Sequence, residues 1–208
     1  MTDAALDYII DKWDLDTTQP SPIKIANSNR ITLAKLFAEL GYRKGAEIGT
    51  AIGSNAMTIN RNNPECKLYC VDSWMLYDGM HDFNDADRLY EFEIAATGRL
   101  SPFPDTKLIK AFSMDAVKKF TDESLDFVYI DANHELPYVT EDIFYWSKKV
   151  RSGGIVSGHD YLDEQRPDGL VHVKEAVQAY TEAFNIEPWF VMDECSQKRA
   201  GSFFWVKP

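Results

Sequence analysis

The sequence predicts an α/β protein built on a doubly wound, mostly parallel sheet. Three observations predict it. From residue 44 onward, short apolar runs that read as strands alternate with segments of helical period. A glycine-bearing turn, Gly49-Thr50-Ala51-Ile52-Gly53, follows the first of those runs and precedes a helix. The residues able to carry chemistry fall at strand ends: Asp72, Asp131, His159 and Asp160. Open parallel sheets bind their ligands beyond the carboxyl ends of the strands, so the third observation also predicts where the site lies.

The elements follow in order. Residues 1–43 read as a helical extension, with a loop at Gln19-Pro20-Ser21-Pro22. Ile31, Leu33, Ala34, Phe37 and Leu40 recur at helical spacing, with Ser28 as N-cap and Gly41 as stop. Gly45 to Ile48 is a strand, and a helix starts at Asn55. Lys67 to Val71 is the second strand, ending at Asp72, and Thr106 to Lys110 is the third. A short helix spans Met114 to Phe120. Leu125 to Ile130 is a strongly apolar fourth strand ending at Asp131, followed by a helix from Pro137 to Lys149. Gly154 to Ser157 is the fifth strand. The stripe Val173, Ala176, Val177, Tyr180 marks a helix over 172–184. Glu187 to Met192 and Ser202 to Val206 close the sheet, joined by a polar loop that permits a hairpin.

Residues 73–104 form a long insertion containing Trp74, Tyr77, His81, Phe83, Tyr90 and Phe92. A connection of this length serves either as a lid over a ligand or as a helix, over 84–97, packed on the sheet.

Composition narrows the function. The 208 residues suit one domain, residues 1–208. No apolar run is long enough to span a bilayer and the N-terminus is acidic, so the expectation is a cytoplasmic protein away from membranes. Net charge is −11, which disfavours nucleic acid as a partner. Cys66, Cys70 and Cys195 match neither a disulfide framework nor a zinc site; Cys66 and Cys70 read as packing residues.

The segment Glu47-Ile48-Gly49-Thr50-Ala51-Ile52-Gly53 carries the first chemistry. Glycine admits backbone torsions and close approach that a β-carbon blocks, and a helix N-terminus offers free N–H groups. Asp72 ends the next strand, where a carboxylate can accept both hydroxyls of a ribose. The spacing is Gly-x-x-x-Gly, not the Gly-x-Gly-x-x-Gly of nicotinamide loops, and no Walker lysine is present.

Taken together, these stretches resemble the class I S-adenosylmethionine-dependent methyltransferases. The glycine loop resembles their first motif, Phe112-Ser113-Met114-Asp115-Ala116 their adenine-side turn, and Leu125 to His134 their fourth strand and its end. Arg151 to Tyr161, with Gly158-His159-Asp160-Tyr161, resembles the fifth strand of a small-molecule O-methyltransferase-like subfamily. The resemblance runs from about residue 44 to 207. It implies a Rossmann-like, seven-stranded sheet whose last strand is antiparallel. It implies that Glu47 and Gly49 line the methionine end of S-adenosylmethionine, with Thr50 and Gly53 of the same loop also cofactor-binding. It places Asp72 on the ribose, Ser73 and Trp74 near the adenosine, Ser113 and Met114 (with Asp115 a further candidate) at the adenine, and Asp131 near the sulfonium.

For the acceptor, two arrangements stand open. Asp131 and Asp160 could hold Mg²⁺ or another divalent cation that orients and acidifies a hydroxyl. Alternatively His134 or His159 is the general base, with Asp131 beside it. The pair His159-Asp160 departs from the two consecutive carboxamide or carboxylate residues common in the metal-dependent relatives. His81 and His172 read as surface or packing residues, and Glu135 and Asp142 as helix-start and solvated-face acids. The expected activity is methylation of a hydroxyl on a small molecule or glycan, and the aromatic insertion favours a neutral acceptor. A cofactor-binding module without catalysis and a nicotinamide-dependent oxidoreductase are the alternatives. Oligomeric state is not readable from the sequence.

Overall fold

The structure, a computed structural model, describes residues 4–78, 80, 85–162, 170–193 and 200–208. His81, Phe83 and Cys195 lie outside the described residues.

The elements, in chain order, are α1 (Ala4–Trp13), β1 (Ile23–Ala26), α2 (Arg30–Glu39), β2 (Lys44–Ile48), α3 (Ser54–Asn62), β3 (Lys67–Asp72), α4 (Ala86–Leu100), β4 (Thr106–Lys110) and α5 (Ser113–Ala116). They continue with β5 (Leu125–Ile130), α6 (Leu136–Ser147), β6 (Val150–Tyr161), α7 (Val173–Ala183), β7 (Phe190–Asp193) and β8 (Gly201–Val206). Strand order is β1-β7-β8-β6-β5-β2-β3-β4. β8 runs antiparallel to both neighbours, and every other pairing is parallel. The chain reverses its direction of growth between β2 and β5, the switch point at which this class of sheet holds ligands.

The sheet has two covered faces, as double winding requires. On one, α6 and α7 deliver Val139, Ile143, Trp146, Val173 and Val177 onto Val128, Val156 and Trp205. On the other, α1, α2 and α3 deliver Ile9, Leu33, Phe37 and Ile59 onto Leu68, Phe127 and Phe204. Phe37 and Phe127 stack with centroids 4.0 Å apart.

Three details differ from the sequence reading. An eighth strand, β1, lies inside the stretch read as helical. Its Ile-Lys-Ile-Ala alternates buried and exposed, and it pairs with β7, so a period of two over four residues was hidden between two helices. The cap of α2 is Asn29, whose Oδ1 accepts from the backbone of Ile31 and Thr32. Ser28 is instead buried and donates to the Ile25 carbonyl. In the third, β6 is far longer than Gly154 to Ser157, because its start pairs with Leu125 and its end reaches β8.

Candidate functional site

The ends of β2, β3 and β5 form one ledge, held by backbone bonds that continue the ladders. Gly49 N–H donates to Val71 O (2.9 Å), Asp131 N–H to Ile48 O (2.7 Å) and Ala111 N–H to Asp72 O (2.9 Å). Gly49 has φ +89°, and a β-carbon there would sit 2.0 Å from the Asp131 carbonyl oxygen. Glycine is therefore required both by torsion and by the closeness of the two strand ends. Gly53, with φ +74°, is the N-cap from which α3 departs.

Asp72 organises the loop. Its Oδ2 accepts from Ala51 N–H and its Oδ1 from Trp74 N–H, each at 2.8 Å. Each oxygen keeps capacity for a further donor. Burial raises the Asp72 carboxyl above its ordinary pKa, and the surrounding backbone N–H groups oppose that rise. The Trp74 indole donates to Ala51 O (2.8 Å), and Arg99 of α4 donates to the Ile52 carbonyl, so the insertion braces the loop.

Glu47 lies beneath the loop, fully buried. Its Oε1 accepts from Asn55 (3.0 Å), while Oε2 finds no partner among the described residues. Desolvation, with the nearby charges of Asp131 and Asp72 and against the Asn55 bond, pushes its carboxyl up to about 8.

A cavity of about 380 Å³ opens over this ledge. Gly49, Asp72, Ser73, Ser113, Met114 and Asp131 line it. Ile48, Val71, Ala111 and Phe112 give it apolar walls, and Tyr77 and Met80 of the insertion add to them. Tyr77 is fixed by the Asn133 amide, which donates to its hydroxyl (2.8 Å), and by edge contacts to Phe112 and Tyr138. A carboxylate suited to a diol, a glycine turn and flat apolar walls fit an adenosine-bearing ligand. Glu47, Thr50, Gly53 and Trp74 are not among the lining residues. Asp115 is exposed and pairs with Lys118.

Asp142 corrects the sequence reading. It is not a solvated-face acid: it is buried in the cavity wall and accepts from Ser113, whose hydroxyl also accepts from the Trp146 indole (2.8 Å). Burial pushes its carboxyl up to about 7, the Ser113 bond opposing. The sequence did hold the signal. Val139, Ile143 and Trp146 form the buried stripe of α6, and position 142 falls on that stripe.

Beyond Asp131 lies a cluster. His134 Nε2 is 3.0 Å from Asp160 Oδ2 and 3.6 Å from Asp131 Oδ1. One ligating atom from each of the three residues lies within 4.8 Å of the others, a grouping able to hold a metal ion. Burial acts to raise Asp160, but the hydrogen bond and charge of His134, with His159 adding, outweigh it and hold the carboxyl well below the usual range. Backbone geometry makes this meeting possible. The register between β6 and β8 shifts between Gly158 and Tyr161, and Asp160 there takes φ +56°. A bulge of this kind re-aims a side chain at the end of a strand. The His134 carbonyl is held by the backbone N–H of His172 (2.8 Å), at the start of α7.

His159 points elsewhere. Its Nδ1 lies 3.1 Å from the Ser202 hydroxyl, itself 3.2 Å from the Tyr129 hydroxyl. Burial holds its imidazole below the ordinary pKa against the pull of Asp131. His159 and Asp160 line a second cavity of about 560 Å³, with Asn29, Arg30, Ile31, Thr58, Met192, Ala200 and Ser202. Asp131 faces the first cavity and Asp160 the second, so the cluster stands between them. Neither Cys66 nor Cys70 takes part. Both are buried in the core, where desolvation pushes Cys66 up to about 12 and Cys70 well above its ordinary pKa.

Known proteins share this fold. Among solved structures, the O-methyltransferase TomG from Streptomyces achromogenes, involved in tomaymycin synthesis and solved in complex with SAM, is 18% identical with a TM-score of 0.61. That match covers 100% of this chain and 92% of the other. Cofactor-bound Rv0187 from MTB is 16% identical, with a TM-score of 0.65 over 99% of this chain and 91% of the other. An rRNA methylase from Streptococcus thermophilus is 13% identical, with a TM-score of 0.60 over 86% of this chain and 96% of the other. At such identities the likeness shows the fold and not the acceptor. No curated protein matches the sequence. A family model described as a methyltransferase domain matches residues 46–161, more than half of the chain and the stretch from the glycine loop through the Asp131–His134–Asp160 cluster. The chain therefore belongs to the methyltransferase-domain family and is an S-adenosylmethionine-dependent methyltransferase.

Proposed function

We propose that this methyltransferase is an O-methyltransferase of the small-molecule subfamily with the Gly158-His159-Asp160-Tyr161 motif, acting on a hydroxyl of a small molecule or glycan. The observation that carries the reading is the position of the Asp131–His134–Asp160 cluster, with one carboxylate toward each cavity. S-adenosylmethionine, when bound, supplies an electrophilic methyl group. In this reading Asp72 and Ser73 hold its ribose side, Ser113, Met114 and Asp142 its adenine side, and Gly49 and Asp131 its reactive end. Glu47, Thr50 and Gly53 shape the loop from below, and Trp74 braces it. The insertion at 73–104, through Tyr77 and Met80, acts as a lid that excludes water.

A hydroxyl in the second cavity must lose its proton as it gains the methyl group. In this reading His134 receives that proton at the ring nitrogen that does not face Asp160, while the carboxylates of Asp160 and Asp131 beside Nε2 stabilise the resulting imidazolium. Asp131 and Asp160 also fix the ring, which sets the approach of the oxygen. His159, engaged with Ser202, is the weaker candidate for the base.

A second reading is favoured by the spacing of the same three ligating atoms: the cluster holds a divalent cation. Two carboxylates and one imidazole suit Mg²⁺ or a first-row transition ion, which would lower the pKa of the hydroxyl directly. The readings part in one assay, transfer of labelled methyl from S-adenosylmethionine to a panel of sugars and phenols. His134→Ala and Asp160→Ala are each expected to lower kcat by about 100-fold or more. Turnover undiminished in His134→Ala would remove the proton-transfer role. Turnover unchanged by EDTA would remove the cation.

A further inference from the structure

We infer that the second cavity contains an oxyanion subsite built on Arg30, so that the acceptor bears a carboxylate or phosphate group besides the hydroxyl that is methylated. This rests on the reading that the second cavity takes the acceptor.

Arg30 lines that cavity together with Thr58, His159, Asp160 and Ser202. It is half-buried, and it makes no ion pair with any described residue, in a chain that carries 33 acids against 22 bases. Asp160, the acid among the described residues lining that cavity, is engaged by His134 at 3.0 Å. The guanidinium is near enough to oppose protonation of His159, although burial is the larger cause there.

Its position argues against a purely structural role. Arg30 is the first residue of α2, where the helix dipole already presents positive charge and a cation is unfavourable. A residue that harms its own helix and pairs with no acid among the described residues is suited to an incoming anion. The amides of the helix start do not supply this site: those of Ile31 and Thr32 are taken by Asn29 Oδ1 (2.9 and 3.2 Å). The planar guanidinium can meet either oxyanion through two parallel N–H bonds. Its cavity, at about 560 Å³, is of a size that encloses a small molecule.

The test uses the full chain saturated with S-adenosylhomocysteine, and isothermal titration with matched probes. One arm compares 3,4-dihydroxybenzoate with catechol, the other glucose 6-phosphate with glucose. The charged member of at least one pair is expected to bind about tenfold tighter or more, the size of one charge-assisted bond. Arg30→Met should abolish that preference and Arg30→Lys retain part of it, with the melting temperature and the Kd for S-adenosylhomocysteine unchanged. The arm that shows the preference identifies carboxylate or phosphate. No preference in either arm, or a preference that survives Arg30→Met, overturns the subsite. Failure of S-adenosylhomocysteine itself to bind would instead overturn the assignment of the first cavity, and the two failures are distinguished by that first titration.

Discussion

Asp142 and Glu47 are tuned by burial, whereas Asp160 is tuned by its partner His134. Asp142 is raised from 3.8 to about 7 and Glu47 from 4.5 to about 8, with desolvation the largest cause for both. Both folded values lie above the unfolded ones. Between them the folded chain keeps a proton that the unfolded chain releases, so stability falls as pH rises from about 4 to 8. Urea unfolding at pH 5 and pH 8 should show that loss. Asp142→Asn should flatten the slope and be more stable than wild type at pH 8 by about 1–4 kcal/mol. Equal slopes in the two proteins would show that Asp142 ionises without penalty. Asp72 makes a different case, because its two bonds to Ala51 and Trp74 shape the loop. Asp72→Ala should weaken S-adenosylhomocysteine binding at least about tenfold by calorimetry. Asp72, Asp131 and Asp160 were legible in the sequence because a charged residue closing an apolar run has few structural reasons to be there. Asp142 was not, because an acid within a helix is usually solvated, and only the phase of its stripe says otherwise. Arg30 carried no such pattern at all.

At the scale of elements, strand ends must be held in register for the site to exist. Asp126, at the second residue of β5, accepts from the backbone of Arg43 (2.8 Å) and Lys44 (2.9 Å) and from Arg151 Nε (2.7 Å). It thereby clamps the starts of β2, β5 and β6. Asp126→Ala should cost about 1–3 kcal/mol in urea unfolding, because it leaves two backbone donors without their acceptor. A stability within error of wild type would show that water replaces the clamp. Gly49→Ala tests the opposite end of the same strands. Its β-carbon would meet the Asp131 carbonyl, so the variant should lower the melting temperature and lose S-adenosylhomocysteine binding together. A variant that keeps both would mean that the two strand ends are not in contact. The alternation of elements was legible from residue 44 onward, because both covered faces demand clear periodicity. The four residues of β1 were not: a strand that short offers two alternations, and its pairing with β7 joins residues more than 160 positions apart.

For the whole molecule, the parallel sheet brings to one ledge residues from Gly49 to Asp160, and the two cavities flank the cluster that joins them. The order of motifs along the chain was enough to foresee the fold and the methyl donor. The meeting of His134 with Asp160 was beyond it, because it depends on the β6 bulge and the left-handed torsion of Asp160, which leave no mark in residue type. Among the described residues no helix is long and apolar enough to cross a membrane. Whether the first cavity holds the methyl donor is read out by ligand-linked thermal unfolding. S-adenosylhomocysteine at about 100 times a micromolar Kd should stabilise the folded chain by about 2.7 kcal/mol and raise the melting temperature by several degrees. The same concentration of NAD should leave it unchanged. A shift with NAD and none with S-adenosylhomocysteine would mean that the first cavity does not hold the methyl donor.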